Sequence, residues 1–237
     1  MKKSFFLFII AAFIISFAIL LGSVFAKESP KVAYITFDDG PTLNTPSIVK
    51  TLNKYNAKAT FFVLEERIVM YPDYVKDIIH SGHAIGLHGV SHSERIYSSD
   101  SSPLEEMEKA NKALLSLTGK RSSLVRVPYG SSYKLTDSQY KLLCDNGYLL
   151  WDWNVDPRDS VGKIYPEKIF SNMRRDLQRC SSTPVILFHD RKSTARMLED
   201  IIKYLQAEGY ELAAISEKQT PINHKGDVKK VQNAKRQ

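Results

Sequence analysis

The stretch Val32-Ala33-Tyr34-Ile35-Thr36-Phe37-Asp38-Asp39-Gly40-Pro41 decides how this chain is read. Its first half is an unbroken apolar and β-branched run, the pattern of a strand buried on both faces of a parallel sheet. Its second half sets two adjacent carboxylates at the end of that strand, followed by a Gly-Pro turn. Neighbouring negative charges repel unless a cation or a proton sits between them, so the pair is costly for folding alone. The C-terminal ends of strands are also where α/β barrels carry their chemistry. The plain alternative is an Asp-Asp-Gly surface turn, and the rest of the chain must decide between the two.

Outward from this stretch, strand and helix signals alternate. Apolar or β-branched runs fall at 32–37, 59–63, 84–88, 124–127, 148–154, 184–189 and 210–215. Amphipathic segments lie between them, near 46–56, 72–81, 103–118, 136–146, 166–179 and 194–208. Ser102-Pro103 and Thr136-Asp137 read as helix starts, and Gly82, Gly119, Gly147 and Gly209 as helix stops. About seven β/α units of this kind predict an α/β fold, either a complete or an incomplete (β/α) barrel. A doubly wound open sheet has the same pattern and stays open as the alternative.

The two ends differ from the middle. Lys2 and Lys3 precede an almost unbroken apolar stretch from Phe5 to Leu21, and Val24 and Ala26 are small residues placed as a signal peptidase reads them. Residues 1–26 are expected to be a secretory signal peptide, with an uncleaved membrane anchor as the alternative. Residues 27–216 are then expected to be the main folded domain, and the polar, Lys-rich segment 217–237 is expected to be a disordered basic tail. A hydrophobic content of 43% with 25% charged residues is that of an ordinary globular protein. Excluding Lys2 and Lys3 lowers the net charge from +7 to +5, which suits work near anionic polymers. No nucleic-acid motif is present. Two cysteines, Cys144 and Cys180, make no disulfide framework, and Cys144, in an apolar helix pattern, is expected to be a buried free thiol.

Four further segments carry chemistry. His88-Gly89-Val90-Ser91-His92 follows the run Ala84-Ile85-Gly86-Leu87. Two histidines four apart can face one metal ion if the chain turns helically there. With the carboxylate pair they supply the two-His, one-carboxylate set that commonly holds catalytic Zn²⁺ or Fe²⁺. His80 and His83 read as solvated or helix-capping. Arg126-Val127-Pro128-Tyr129-Gly130 ends another strand; the Arg can hold a carboxylate bidentately, and the Pro-Tyr-Gly turn can aim a backbone N–H into a site. Trp151-Asp152-Trp153 and the acids up to Asp159 either line a sugar groove or belong to the core. Val185-Ile186-Leu187-Phe188-His189 is an apolar strand ending in His, which alone is as consistent with a structural as with a functional role.

In this combination and order, over roughly residues 31–215, the chain resembles the NodB-type polysaccharide deacetylases of carbohydrate esterase family 4. The resemblance implies a distorted (β/α) barrel and a divalent-metal hydrolase that removes acetyl groups from sugars. It implies Asp38 as general base, and Asp39, His88 and His92 as ligands of the metal, Zn²⁺ first, with Co²⁺ and other divalent ions as alternatives. It implies Arg126 as the tether of the base, the Tyr129 N–H as oxyanion donor and His189 as general acid. It implies further that Asp159 tunes that histidine and that Leu187 walls the acetyl pocket. The expected substrate is an N-acetylated envelope or extracellular polysaccharide, foremost peptidoglycan. A chitooligosaccharide deacetylase, an O-deacetylase such as an acetylxylan esterase, and a non-catalytic wall-binding relative are the alternatives. The expected setting is secreted or bound to a bacterial cell envelope, as a monomer that meets the membrane only through its N-terminal segment. Three positions depart from the family pattern. Gly89 stands where Ser or Thr is frequent, Ser93 where Pro is frequent, and Ser160 where Trp is frequent, which predicts a wider acetyl pocket. Trp151 or Trp153 could instead fill that space.

Overall fold

Strand β1, Lys31–Gly40, is the centre of a seven-stranded sheet in the computed structural model, which describes residues 31–162 and 165–225. The expected signal segment 1–26 lies outside the described residues. On one side β1 pairs with β2 (Ala59–Val63), which continues to β3 (Ala84–Leu87), β4 (Leu124–Val125) and β5 (Leu149–Leu150). It also pairs with β6 (Val185–His189), and its first three residues pair with β7 (Tyr210–Leu212). Every pairing is parallel.

The two edges are joined by the chain that follows β5. Trp151 N donates to Val125 O at 2.8 Å on the β4 side. Four residues later Leu187 N donates to Val155 O at 3.0 Å, and Val155 bridges Ile186 of β6. A sheet whose two edges meet is a barrel and not a doubly wound open sheet. Here the closure is a single bridge and β4 and β5 are two residues each, so the barrel is distorted and incomplete, as expected.

Side-chain alternation along the strands sorts residues into two clusters. Ala33, Ile35 and Phe37 of β1 join the larger core under the helices, where Phe37 stacks between Phe61 at 5.0 Å and Phe188 at 6.1 Å. Tyr34 of β1, Phe62 of β2, Leu124 of β4 and Val185 of β6 pack with Trp151 and Ile215 in the barrel interior. Gly86 of β3 lies against them, since a Cβ there would stand 2.4 Å from the Phe62 ring.

Around the sheet lie α1 (Thr45–Lys54), α2 (Glu65–Met70), α3 (Pro72–His80), α4 (Ser102–Thr118), α5 (Asp137–Asp145), α6 (Pro166–Arg179) and α7 (Lys192–Ala207). The six expected helices are present. Short α2 carries too few residues for a periodic pattern to show. Gly119, at φ 71°, ends α4 as a left-handed cap, and α5 opens with a Thr136–Gln139 capping box. Among the described residues no helix is long and apolar enough to cross a membrane.

Three expectations need correction. Cys144 is exposed, because it follows buried Leu143 by one position, about 100° further round the helix; Cys180 is half-buried and both thiols are free. His80 is exposed, but His83 is buried rather than solvated. Its Nδ1 accepts from Ala59 N at 3.4 Å, its ring packs on Phe61, and burial pushes its pKa down to about 4. The segment from 217 onward is ordered as far as Lys225. Glu217 accepts from Ser123 N at 2.9 Å, Ile222 packs against the interior cluster, and His224 N donates to Asp152 Oδ2 at 2.7 Å. These bonds are made mainly by backbone and polar groups, which leave no apolar periodicity to read. Residues 226–237 lie outside the described residues.

Candidate active site

Period-2 alternation brings the chemistry together. Asp38 continues the interior face of β1 after Tyr34 and Thr36, and His88 continues that of β3 after Gly86. Arg126 follows Leu124 in the same way, and His189 follows Val185 and Leu187. All four sit at the C-terminal ends of parallel strands, facing one interior. Asp39 would point away by alternation. It does not, because its φ is 68° and the β1–β2 register shifts between Asp38 and Gly40. Aspartate tolerates the left-handed region better than most residues, so a bulge here aims two consecutive carboxylates at one place.

Asp39, His88 and His92 each offer a ligand atom within 4.8 Å of the others. Asp39 Oδ1 is 3.6 Å from His88 Nε2 and 3.7 Å from His92 Nε2, and although buried it has no hydrogen-bond partner. Ligands about 2.0–2.1 Å from a tetrahedral zinc ion stand about 3.3 Å apart, so the set fits a divalent cation. His88 Nδ1 lies 2.7 Å from Arg126 O. A carbonyl only accepts, so Nδ1 carries the proton and Nε2 turns its lone pair to the carboxylate. Burial raises the pKa of Asp39, but its interactions with the neighbouring His88, His189, His92 and Arg191 outweigh it and hold the group below its usual range. Burial, with His88 beside it, pushes His92 down, toward the neutral form that ligates.

The two histidines meet without the helical turn that the four-residue spacing would otherwise need. Gly89 at φ 88° and His92 at φ 57° fold the chain back instead. Glycine suits 89, because an L side chain is strained at that φ and its Cβ would displace Glu106 Oε2, 2.9 Å away, which accepts from Val90 N at 2.9 Å. Ser93 caps the short 3₁₀ turn Glu94–Tyr97 by accepting from Arg95 N at 3.3 Å. Two of the three departures thus have local structural reasons. Ser160 is half-buried, and nothing in the structure explains its replacement of Trp.

Asp38 is held from behind by Arg126, whose Nη1 reaches Asp38 Oδ1 at 2.8 Å. The grip is single, not bidentate. The other guanidinium bonds go to Thr36 Oγ1 at 2.7 Å, Trp151 O at 3.1 Å and Asp152 O at 2.9 Å. A fully buried guanidinium needs each of these acceptors. Its planar face also lies 4.2 Å from the Phe62 ring centroid.

His189 Nδ1 hydrogen-bonds Asp159 Oδ1 at 2.7 Å. Asp159 Oδ2 accepts from His189 N at 2.8 Å and from Thr194 Oγ1 at 2.5 Å. Burial disfavours the imidazolium, but the bond to Asp159 and the charges of Asp159, Asp38 and Asp39 overcome it, and the His189 pKa is raised. Leu187 is 5% exposed on the interior face beneath.

Tyr129, at φ 65° and 45% exposed, sets its ring 4.6 Å from that of His92. Below it Gly130 is required, because a Cβ would meet the Trp153 ring at 2.9 Å. The tryptophans do not form a sugar-facing groove. Trp151 is 2% exposed and packs edge-on against Tyr34. Trp153 is half-buried between Gly130 and His224. Trp151 also supports the site from inside, since its carbonyl accepts from Arg126 Nε at 3.1 Å.

Sequence reasoning missed Asp152 and Asp190. Asp152 is buried and accepts from Ser131 N at 2.9 Å, from Ser131 Oγ and from His224 N. Asp190 accepts from Thr42 Oγ1 at 2.8 Å, Thr42 N at 3.2 Å and Thr45 Oγ1, and its own N–H donates to Asp38 O at 3.0 Å. It therefore pins the loop that follows the carboxylate pair, and burial raises its pKa. Its place directly after His189 at a strand tip was the available signal.

Comparisons with known proteins agree with this arrangement. The family model for polysaccharide deacetylases matches residues 26–146, just over half the chain. The chain is 37% identical over 197 residues to YheN of Bacillus subtilis, covering 81% of this chain and 70% of that one. It is 31% identical over 206 residues to a peptidoglycan-N-acetylglucosamine deacetylase of Bacillus cereus, covering 85% and 76%. The crystal structure of the polysaccharide deacetylase Bc1974 from Bacillus cereus aligns with a TM-score of 0.76 at 32% identity, over 83% of this chain and 98% of that one. With its motifs at the strand tips where the fold needs them, this chain belongs to the polysaccharide deacetylase family.

Proposed function

We propose that the protein is a metal-dependent N-deacetylase acting on the acetylated amino sugars of peptidoglycan, outside the cytoplasm. The carrying observation is that a buried acid pair, His189–Asp159, and a tethered carboxylate, Asp38–Arg126, border one two-His, one-carboxylate set. The matched relative that acts on peptidoglycan N-acetylglucosamine supports the substrate class.

Asp39, His88 and His92 would hold the cation, which supplies carbonyl polarisation and a more acidic water when bound. Asp38 takes the proton of the attacking water, and Arg126 orients it through the bond from Nη1 to Oδ1 at 2.8 Å. The Tyr129 N–H meets the oxyanion as the carbonyl becomes tetrahedral. An amine leaves only when protonated, and His189 delivers that proton. Leu187 gives the acetyl methyl an apolar wall.

His92→Ala tests the cation set. Bound metal and activity should be lost together. Stoichiometric metal at wild-type affinity in that variant would contradict the assignment.

A further inference from the structure

The aim of Asp39 comes from its backbone. Its Oδ1, the atom that faces His88 and His92, is buried without a hydrogen-bond partner, so no donor turns this oxygen toward them. What turns it is a φ of 68°, a left-handed value that is uncommon for any residue but glycine. Such a conformation persists only where its surroundings fix it.

Both neighbours of Asp39 are fixed by one residue, Asp190. On the N-terminal side Asp190 N donates to Asp38 O at 3.0 Å, which holds the plane of the peptide that joins Asp38 to Asp39. On the C-terminal side the Asp190 carboxylate lies against Gly40, where a Cβ would stand 2.8 Å from Oδ2. That carboxylate cannot swing aside. It is 2% exposed, Oδ1 accepts from Thr42 Oγ1 at 2.8 Å, and Oδ2 accepts from Thr42 N at 3.2 Å and from Thr45 Oγ1. Thr42 N also donates to Thr45 Oγ1 at 2.8 Å, so the turn from β1 into α1 closes on the carboxylate. Burying a carboxylate is costly, and a strand-to-helix turn can be built without one. What this one adds is a brace on either side of a left-handed residue.

We propose that Asp190 is a positioning residue of the cation set: it holds Asp39 in its left-handed conformation and thereby sets the affinity for the divalent ion. The proposal rests on the reading of Asp39, His88 and His92 as that set.

The test is Zn²⁺ titration by calorimetry of the metal-stripped full chain, with urea unfolding of the same proteins alongside. Asp190→Ala should raise the Zn²⁺ Kd about 10–100-fold, the usual effect of losing a group that orients a ligand. Loaded with Co²⁺, it should also show an altered visible absorption band, because a ligand oxygen has moved. Asp190→Asn should recover most of the affinity, since its oxygen can take both bonds of Oδ2 and its amide can donate to Thr42 Oγ1. Thr45→Val, which removes one donor, should fall between. Gly40→Ala should weaken binding in the wild-type background and add nothing to Asp190→Ala, where its Cβ meets no carboxylate. A wild-type Kd in folded Asp190→Ala, whatever its loss of urea stability, overturns the proposal. So does an Asp190→Asn as weak as Asp190→Ala, because the effect would then come from the charge of Asp190. If Asp190→Ala does not fold, wild-type Kd in both Thr45→Val and Gly40→Ala overturns it. Wild-type protein that binds no Zn²⁺ refutes the cation reading itself and the proposal with it, and the wild-type titration separates that failure from the others.

Discussion

The side chain on which the most converges is Arg126. It is the only described residue that touches Thr36, Asp38, Trp151 and Asp152 at once, and all of these bonds are buried. Its cost in desolvation is high, and removing one partner of a buried pair typically costs about 3–5 kcal/mol. Such a group persists where it orients something, here the carboxylate of Asp38. Asp38→Asn should bind metal yet lose about 10²–10⁴-fold in kcat, the usual range for a general base. The acid gives a pH signature. His189 has a raised pKa, so it stays protonated above the usual range near 6.5, and activity should fall as pH rises through that raised value. Asp159→Asn removes the main support, and the alkaline limb of the pH–kcat profile should move to lower pH. An unmoved limb would assign that limb to another group.

His83 makes the complementary case for stability. Its folded pKa is about 4, below the unfolded value near 6.5, so the native state refuses a proton that the unfolded chain accepts. Its contribution is fully present above pH 6.5 and is lost as pH falls toward 4, by about 3 kcal/mol in all. Urea unfolding at pH 7 and pH 4 should show a smaller pH dependence for His83→Leu than for wild type. These residue-level facts were unequally legible. Asp38, His88, Arg126 and His189 were readable because each ends an apolar run at interior parity. His83 was not, because nothing near it announces that β2 and β3 would bury its ring.

At the scale of elements, the strands were read within a few residues and the loops were not. The seven apolar runs became seven strands, but the runs at 124–127 and 148–154 yielded only Leu124–Val125 and Leu149–Leu150. The remaining residues left the ladder to carry Arg126 and to cross from β4 to β6. The loops after β1, β3 and β4 turn on left-handed residues at Asp39, His92 and Tyr129, which apolar periodicity does not encode. The C-terminal segment shows the same limit. Asp152 N donates to Ile222 O at 2.8 Å, Lys225 N donates to Ser131 Oγ at 3.1 Å, and His224 Nε2 lies 2.8 Å from Trp153 O. These contacts bear on the segment that holds Arg126 and on the turn that carries Tyr129. Ending the chain after Thr220 should therefore lower kcat about 10–100-fold with KM and metal affinity little changed, since small misplacements of catalytic groups are costly. A peptide of residues 217–237 added back should restore part of the loss. Wild-type kcat in the truncated protein would show that the strap only decorates the fold.

For the whole molecule, the alternation of strands and helices announced an α/β fold, but the choice between barrel and open sheet required a contact between residues far apart in sequence, Val155 with Ile186. Local pattern cannot hold such information. The distribution of open apolar side chains was equally illegible, because it depends on which loops the topology gathers at one end. The sequence left Trp151 and Trp153 between a sugar groove and the core; the fold buries Trp151, half-buries Trp153 and leaves Tyr129 and Tyr133 exposed. What the topology does gather at one end is the tethered carboxylate of Asp38, the buried His189–Asp159 pair and the cluster of Asp39, His88 and His92. The most direct measurement is mass spectrometry of defined peptidoglycan fragments, with acetate quantified, after incubation with Zn²⁺-loaded wild-type protein and with Asp38→Asn. The account predicts that wild type removes one acetyl group per modified amino sugar with equimolar acetate released, and that Asp38→Asn leaves the fragments unchanged. Fragments that keep every N-acetyl group with metal-loaded wild-type protein, or lose them equally with Asp38→Asn, would contradict it.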